Sequence, residues 1–173
     1  MRNLGNIAAR ENRTVEAQDF YQEGLNKAEG ANLDHLAYEI RYSIGILLSQ
    51  KLKEYHKARI QFEMAKEYFQ KVGDDICYSA AIFGLASNES LQGKSNNAKR
   101  LFNECLNLTK KIGRRDLLAT ILWFLAKEEE KSNNILSALK YIKESNESFE
   151  RLELKHEYEL TKKLIESLEK KIN

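Results

Sequence analysis

The 173-residue chain carries 28 basic and 26 acidic side chains, a net charge of +2, with 42% hydrophobic and 31% charged residues. That balance provides no strong field for nucleic acid or an anionic membrane, and it supplies enough apolar side chains for a continuous core beneath a charged surface. No run approaches the roughly 18 to 20 apolar residues that cross a bilayer, and the opening MRNLGNIAARENR lacks a hydrophobic signal-peptide centre, so the expected home is the cytoplasm. Two cysteines, Cys77 and Cys105, give neither a disulfide framework nor a metal-ligand spacing and fit a reducing compartment. There is no proline, so long helices run without a stop, and only eight glycines punctuate the chain.

Residues 2 to 11 suit a helix with Leu4, Ile7 and Ala8 on one side, broken at Asn12 to Thr14, where Thr14 is the expected N-cap of the next helix. Ala17, Tyr21, Gly24, Ala28 and Ala31 then form one face that Gly30 or Asn32 ends. A second unit opens near Asp34 with Leu36, Ile40, Ile44, Leu47 and Leu48 at helical spacing, and returns through Ala58, Phe62, Ala65, Phe69 and Val72. Gly73 supplies a left-handed closing residue, and Asp74 and Asp75 place negative charge at the start of the following helix. The third unit runs Ile76 to Gln92, breaks at Gly93, takes Ser95 as its expected N-cap and continues from Ala98 to Ile112 before Gly113. The fourth runs from about Arg115 to Ser132, breaks at Asn133 and Asn134, and continues from Leu136 to Leu152. A last helix near Lys155 to Lys171 has Leu160, Leu164, Ile165 and Leu168 on one side and mostly Lys and Glu elsewhere, the pattern of a terminal cap. Sustained period-two alternation is absent, so no strand is expected.

One trio recurs: a small residue, a large apolar residue four positions on, and another small residue three further. It reads Ala17, Tyr21, Gly24; then Ala58, Phe62, Ala65; then Ala98, Phe102, Cys105; then Ala138, Ile142, Ser145. The leading alanines are 41, 40 and 40 residues apart. A fixed period of this size marks stacked repeats, in which no unit buries its apolar face alone.

The Ala-x3-Phe-x2-Ala pattern resembles the second helix of the tetratricopeptide repeat. Twelve residues before each leading alanine that family has a small residue preceded by leucine, and here those pairs are Leu4 and Gly5, Gly45 and Ile46, Leu85 and Ala86, Leu125 and Ala126. Met1, Tyr42, Ile82 and Leu122 fall where the motif opens with a large apolar residue. The common unit of about 34 residues ends in proline, whereas this chain has a longer unit and Gly73-Asp74 in that place, similar to the lengthened variant of bacterial and archaeal regulators. The late aromatic position has drifted to Ala8, Ser49, Glu89 and Glu129.

The resemblance implies an all-α, right-handed α-solenoid of about four antiparallel helical hairpins. The chain is then one superhelical domain with units at about 1–32, 33–73, 74–113 and 114–153 and a capping helix at about 155–171. Met1 already occupies the fourth position of the first motif, so the register favours a piece of a larger protein extending N-terminally. Such a shortened first helix leaves an apolar end that a second copy of the chain would cover.

The resemblance also implies a concave groove that binds a partner's peptide or helix. Its positions map to Arg2, Asn6 and Arg10, then Ser43, Leu47 and Gln50, then Phe83, Ser87 and Ser90, then Trp123, Lys127 and Glu130, with Leu47, Phe83 and Trp123 as apolar anchors. The carboxylate-holding mode of the family fits Arg2 and Asn6 but meets Ile44, Ala80 and Gly84 at the other clamp positions and is set aside. Lys110, Lys111, Arg114 and Arg115 around Gly113 read as a solvated helix end.

Gly93-Lys94-Ser95 lacks the first glycine and preceding strand of a phosphate loop, and His156-Glu157 has Leu160 where a second zinc ligand belongs. His35, His56 and His156 lie in different units. No catalytic group, cofactor or metal site is expected. The reading is a non-enzymatic scaffold for protein–protein interaction. Its alternatives are a peptide-sensing region of a larger transcription regulator or signalling ATPase, and an RNA-binding helical repeat, which the near-neutral charge disfavours.

Overall fold

The computed structural model describes residues 1–172. Nine α-helices follow one another with no strand among the described residues: α1 (Arg2–Arg10), α2 (Thr14–Gly30), α3 (Asp34–Leu47), α4 (Tyr55–Val72), α5 (Asp75–Leu91), α6 (Ser95–Ile112), α7 (Arg115–Lys131), α8 (Ile135–Arg151) and α9 (Lys155–Glu169). They form two compact units, Met1–Gln92 and Gly93–Asn173. In the first unit each helix packs on the next, and α3 also touches α1 and α5. In the second, α6 packs on α7, α7 on α8 and α8 on α9.

The turns are short because each contains one residue in the left-handed region. These residues are Asn12, Asn32, Lys53, Gly73, Gly93, Gly113, Asn133 and Glu153, with φ between 55° and 78°. Glycine and asparagine tolerate this conformation, which explains six of the eight; Lys53 and Glu153 adopt it against their steric preference. Two expected caps shift by one residue. Arg13 and Lys94 precede the helices in place of Thr14 and Ser95, neither with a side-chain cap bond. The Thr14 hydroxyl donates back to the Asn12 carbonyl, and that of Ser95 donates to the Glu128 carboxylate. Asp74 is a working cap, its Oδ1 accepting the Cys77 N–H at 2.9 Å.

The left-handed residues also locate an irregularity. Asn12 to Lys53 and Asn32 to Gly73 are both 41 residues apart, whereas the later intervals are 40, so the extra residue lies between Asn32 and Lys53. It is absorbed by a π-helical turn, Leu48–Leu52, continuing α3. A π turn holds one residue more than an α turn, and everything before it slips by one relative to the other repeats. Counted from the helix start, Gly45, not Ile46, therefore matches Ala86 and Ala126.

Contacts in the core confirm that register. A Cβ on Gly45 would lie 2.7 Å from the Phe62 ring, and one on Gly84 would lie 2.6 Å from the same ring. Phe62, 1% exposed, is thus held between α3 and α5 at two positions where only glycine fits. Gly5 receives Tyr21 in the same way. The other large residues of the recurring trio, Phe102 and Ile142, are fully buried as well.

The drifted late aromatic position is occupied by charge, and it is paired. Arg59 meets the buried Glu89 at 3.4 Å in the first unit, and Lys99 meets Glu129 at 3.5 Å in the second. Beside them Asn88 donates to the Tyr55 carbonyl at 3.1 Å, and Glu128, 1% exposed, takes the Ser95 hydroxyl and pairs with Lys131 at 2.5 Å. These polar links tie the start of one hairpin's second helix to the end of the next hairpin's first helix, so the repeat stays in register without an aromatic there.

Two predictions follow from the packing and the turns. Phe62→Ala should cost about 3 to 5 kcal/mol and Gly84→Ala about 1 to 3 kcal/mol, read as shifts in the urea midpoint at constant slope. Lys53→Gly and Glu153→Gly should each stabilise by about 0.5 to 1 kcal/mol by relieving the left-handed backbone, checked by the same titration.

Candidate binding cleft

α1 and α3 present their faces side by side in the first unit, and between them lies a cleft of about 640 Å³. Arg2, Asn6 and Arg10 line it from α1, spaced so that they share one helical face. Tyr42, Ser43, Ile46, Leu47, Gln50 and Lys51 line it from α3 and the π turn, and Tyr21 of α2 closes the floor. The six positions expected from the first two repeats thus come together in one depression.

Two of them are buried at the base of the cleft. Leu47 is 2% exposed and belongs to the core with Ala17, Tyr21, Leu25 and Ile40, while Ser43 is 8% exposed and returns its hydroxyl to the Glu39 carbonyl. The slip of one residue turns Tyr42 and Ile46 toward the cleft at the positions that Phe83 and Ser87 hold on α5. Gln50, within the π turn, is exposed. The unequal first interval, 41 against 40, was the signal in the sequence that pointed to Tyr42 and Ile46.

The cleft is polarised. Arg2 pairs with Glu39 at 2.7 Å, Lys51 donates to the Asn12 side chain at 2.6 Å, and Arg10 has no ion-pair partner among the described residues. The Tyr21 hydroxyl donates to Asn6 Oδ1 at 2.6 Å, which orients the Asn6 amide. Burial pushes the Tyr21 phenol up, against the opposing pull of Arg2 and Arg10, so it stays neutral as a donor. Tyr42 and Ile46 give the cleft apolar surface beside the basic side chains of Arg2, Arg10 and Lys51.

The remaining expected positions lie elsewhere. Phe83, Ser87 and Ser90 are half-buried on α5 and do not line this cleft. In the second unit Trp123 is half-buried against Ala126, Ala138, Leu139, Ile142 and Leu168, with its ring edge-on to Phe149 at 6.4 Å. Lys127 holds its ammonium 4.8 Å above the Trp123 ring, and Glu130 pairs with Lys171 of the C-terminal end at 2.7 Å. Trp123 therefore serves the packing of α7 on α8 and α9. Of the basic cluster around Gly113, Arg114 is neutralised by a two-bond pair with Asp116 at 2.6 and 2.8 Å. Away from the cleft, His35, Asp74 and Cys77 stand together as a group of metal-ligand type.

No family model matches the chain, and no curated protein matches it. Among solved structures, the crystal structure of BtubC (BKLC) from P. vanneervenii is similar with a TM-score of 0.67 and 22% identity, over 83% of this chain. The chain spans 58% of the length of that protein. The likeness is one of fold, and no helix among the described residues is long and apolar enough to cross a membrane.

Because Tyr21 ionises above the ordinary phenol range, its contribution to stability is complete below the unfolded value near 10 and is lost as pH rises through the folded value. Spectrophotometric titration of the eight tyrosines should show Tyr21→Phe removing a late-ionising phenol.

Proposed function

We propose that this chain is a non-enzymatic, cytoplasmic interaction module of the tetratricopeptide type. Its hairpins form a right-handed α-solenoid, and the face between α1 and α3 binds an extended segment of a partner protein. The observation that carries the reading is the cleft itself, where Arg2, Asn6, Arg10, Tyr42, Ile46 and Gln50 converge from α1, α3 and the π turn. The recurring small-large-small trio and the two glycine seats around Phe62 support the repeat assignment. The fold likeness to BtubC supports the helical architecture alone.

In this reading Tyr42 and Ile46 take an apolar side chain of the segment, while Arg10 and Lys51 attract acidic residues beside it. Asn6 and Gln50 set its register through backbone hydrogen bonds. Affinity is expected to sit in the two apolar contacts, and association rate and salt dependence in the basic rim.

An array of extended peptides varying in acidic and apolar content selects the ligand, and calorimetry then compares the best peptide across variants. Ile46→Asp and Tyr42→Ala should each weaken binding by about 1 to 3 kcal/mol, roughly five- to 150-fold, with Arg10→Glu adding a loss that shrinks at high salt. Peptides that bind all three variants as well as the parent would exclude the cleft. Tight, salt-sensitive capture of single-stranded RNA in place of peptide would favour a nucleic-acid role.

A further inference from the structure

We propose that His35, Asp74 and Cys77 form a binding site for one divalent transition-metal ion of the zinc class. The site lies where the first turn of α3 meets the turn from α4 into α5. His35 Nε2 stands 2.9 Å from Asp74 Oδ2, and one donor atom from each of the three residues falls within 4.8 Å of the others. Nitrogen, carboxylate oxygen and sulfur are the donors that zinc takes, at about 2.0 to 2.3 Å, which in a tetrahedron separates ligand atoms by about 3.3 to 3.7 Å. The observed spread needs adjustments of about one ångström, and the half-exposed His35 side chain is free to make them.

The repeat does not demand this trio. The turn from α6 into α7 carries Arg114 and Leu117 where Asp74 and Cys77 stand, and α5 carries Ile76 at the place of His35. Capping α5 requires only Asp74 Oδ1, which accepts the Cys77 N–H, and leaves Oδ2 directed at His35. The surroundings favour a cation held on one side. The His35 ring stands edge-on to Phe69 at 5.3 Å and to Tyr68 at 6.3 Å, and Cys77 packs with Tyr38, Tyr42, Tyr68 and Tyr78 against Ala65, Phe69 and Ala81. This aromatic wall excludes water from the inner side, and the exposed His35 side admits a water as fourth ligand.

The charges facing Cys77 are Asp74 from its own turn, Glu39 from α3 and Arg2 from α1, the last two paired with each other. An uncoordinated cysteine thiol is mostly protonated at neutral pH. Binding then exchanges one proton for the ion: the S–H bond breaks, the sulfur electron pair forms the metal–sulfur bond, and the proton leaves to solvent. The ion would link the start of α3 to the start of α5, 39 residues apart from His35 to Asp74.

The experiment uses the reduced, metal-stripped full chain titrated with cobalt(II). The expected result is one cobalt per chain with a thiolate-to-cobalt charge-transfer band and the visible bands of tetrahedral coordination, displaced by zinc, with one proton released per ion. Cys77→Ser should abolish the charge-transfer band. His35→Ala, a change at an exposed position that should preserve the helical circular dichroism, should weaken cobalt binding by about tenfold or more. Zinc at one fixed concentration should raise the melting temperature of the parent more than that of His35→Ala. Absence of the band in the parent, or a band and affinity unchanged in His35→Ala, would overturn the assignment.

Discussion

The structure depends on one packing constraint: a large side chain on the second helix of a hairpin must sit against a position without a Cβ, or with only a methyl group, on the first. Phe62 states it most sharply, since Gly45 and Gly84 both approach its ring more closely than any side chain permits. The wedge fixes how near α3, α4 and α5 approach and in what register. Tyr21 against Gly5 repeats the arrangement on a smaller scale. Helices held this closely need short turns, and the left-handed residue in every turn provides them without proline.

The π turn is where that constraint and the sequence length conflict. An additional residue in the second repeat would rotate the rest of α3 by about 100° if it stayed α-helical, moving Gly45 away from Phe62 or Lys53 away from its turn. Winding Leu48–Leu52 wider keeps both ends seated. The face of α3 before the bulge lines the cleft, with Tyr42 and Ile46 half-buried there and Leu47 and Ser43 buried at its base.

The helices and their ends were legible in the sequence because period, glycine and asparagine carry them directly: Gly73, Gly93 and Gly113 close or join helices as their positions suggest. The basic end of the cleft was legible too, as Arg2, Asn6 and Arg10 share a helical face in any register. In the middle of the cleft Ser43, Leu47 and Gln50 line it as expected, but Tyr42 and Ile46 were missed, since counting back from Ala58 crosses the bulge and counting forward from Leu33 does not. Thr14 and Ser95 looked like caps by residue type, yet the preceding left-handed residue already sets the helix entry and frees their hydroxyls. The drift to Glu89 and Glu129 looked like decay of a motif, and pairing with Arg59 and Lys99 is a contact no single helix reveals. The meeting of His35 with Asp74 and Cys77 likewise arises between neighbouring repeats and has no local signature.

What joins these observations is the claim that a bulge-shifted face between α1 and α3 is a binding surface. Backbone amide shift mapping by NMR, during titration with an acidic, apolar-anchored peptide, tests it most directly. The account predicts that saturable shifts concentrate on Arg2 to Arg10 and on Tyr42 to Lys51, with the outward-facing residues of α2 and α4 unmoved. Shifts confined to α2 and α4, or to the second unit, would contradict it.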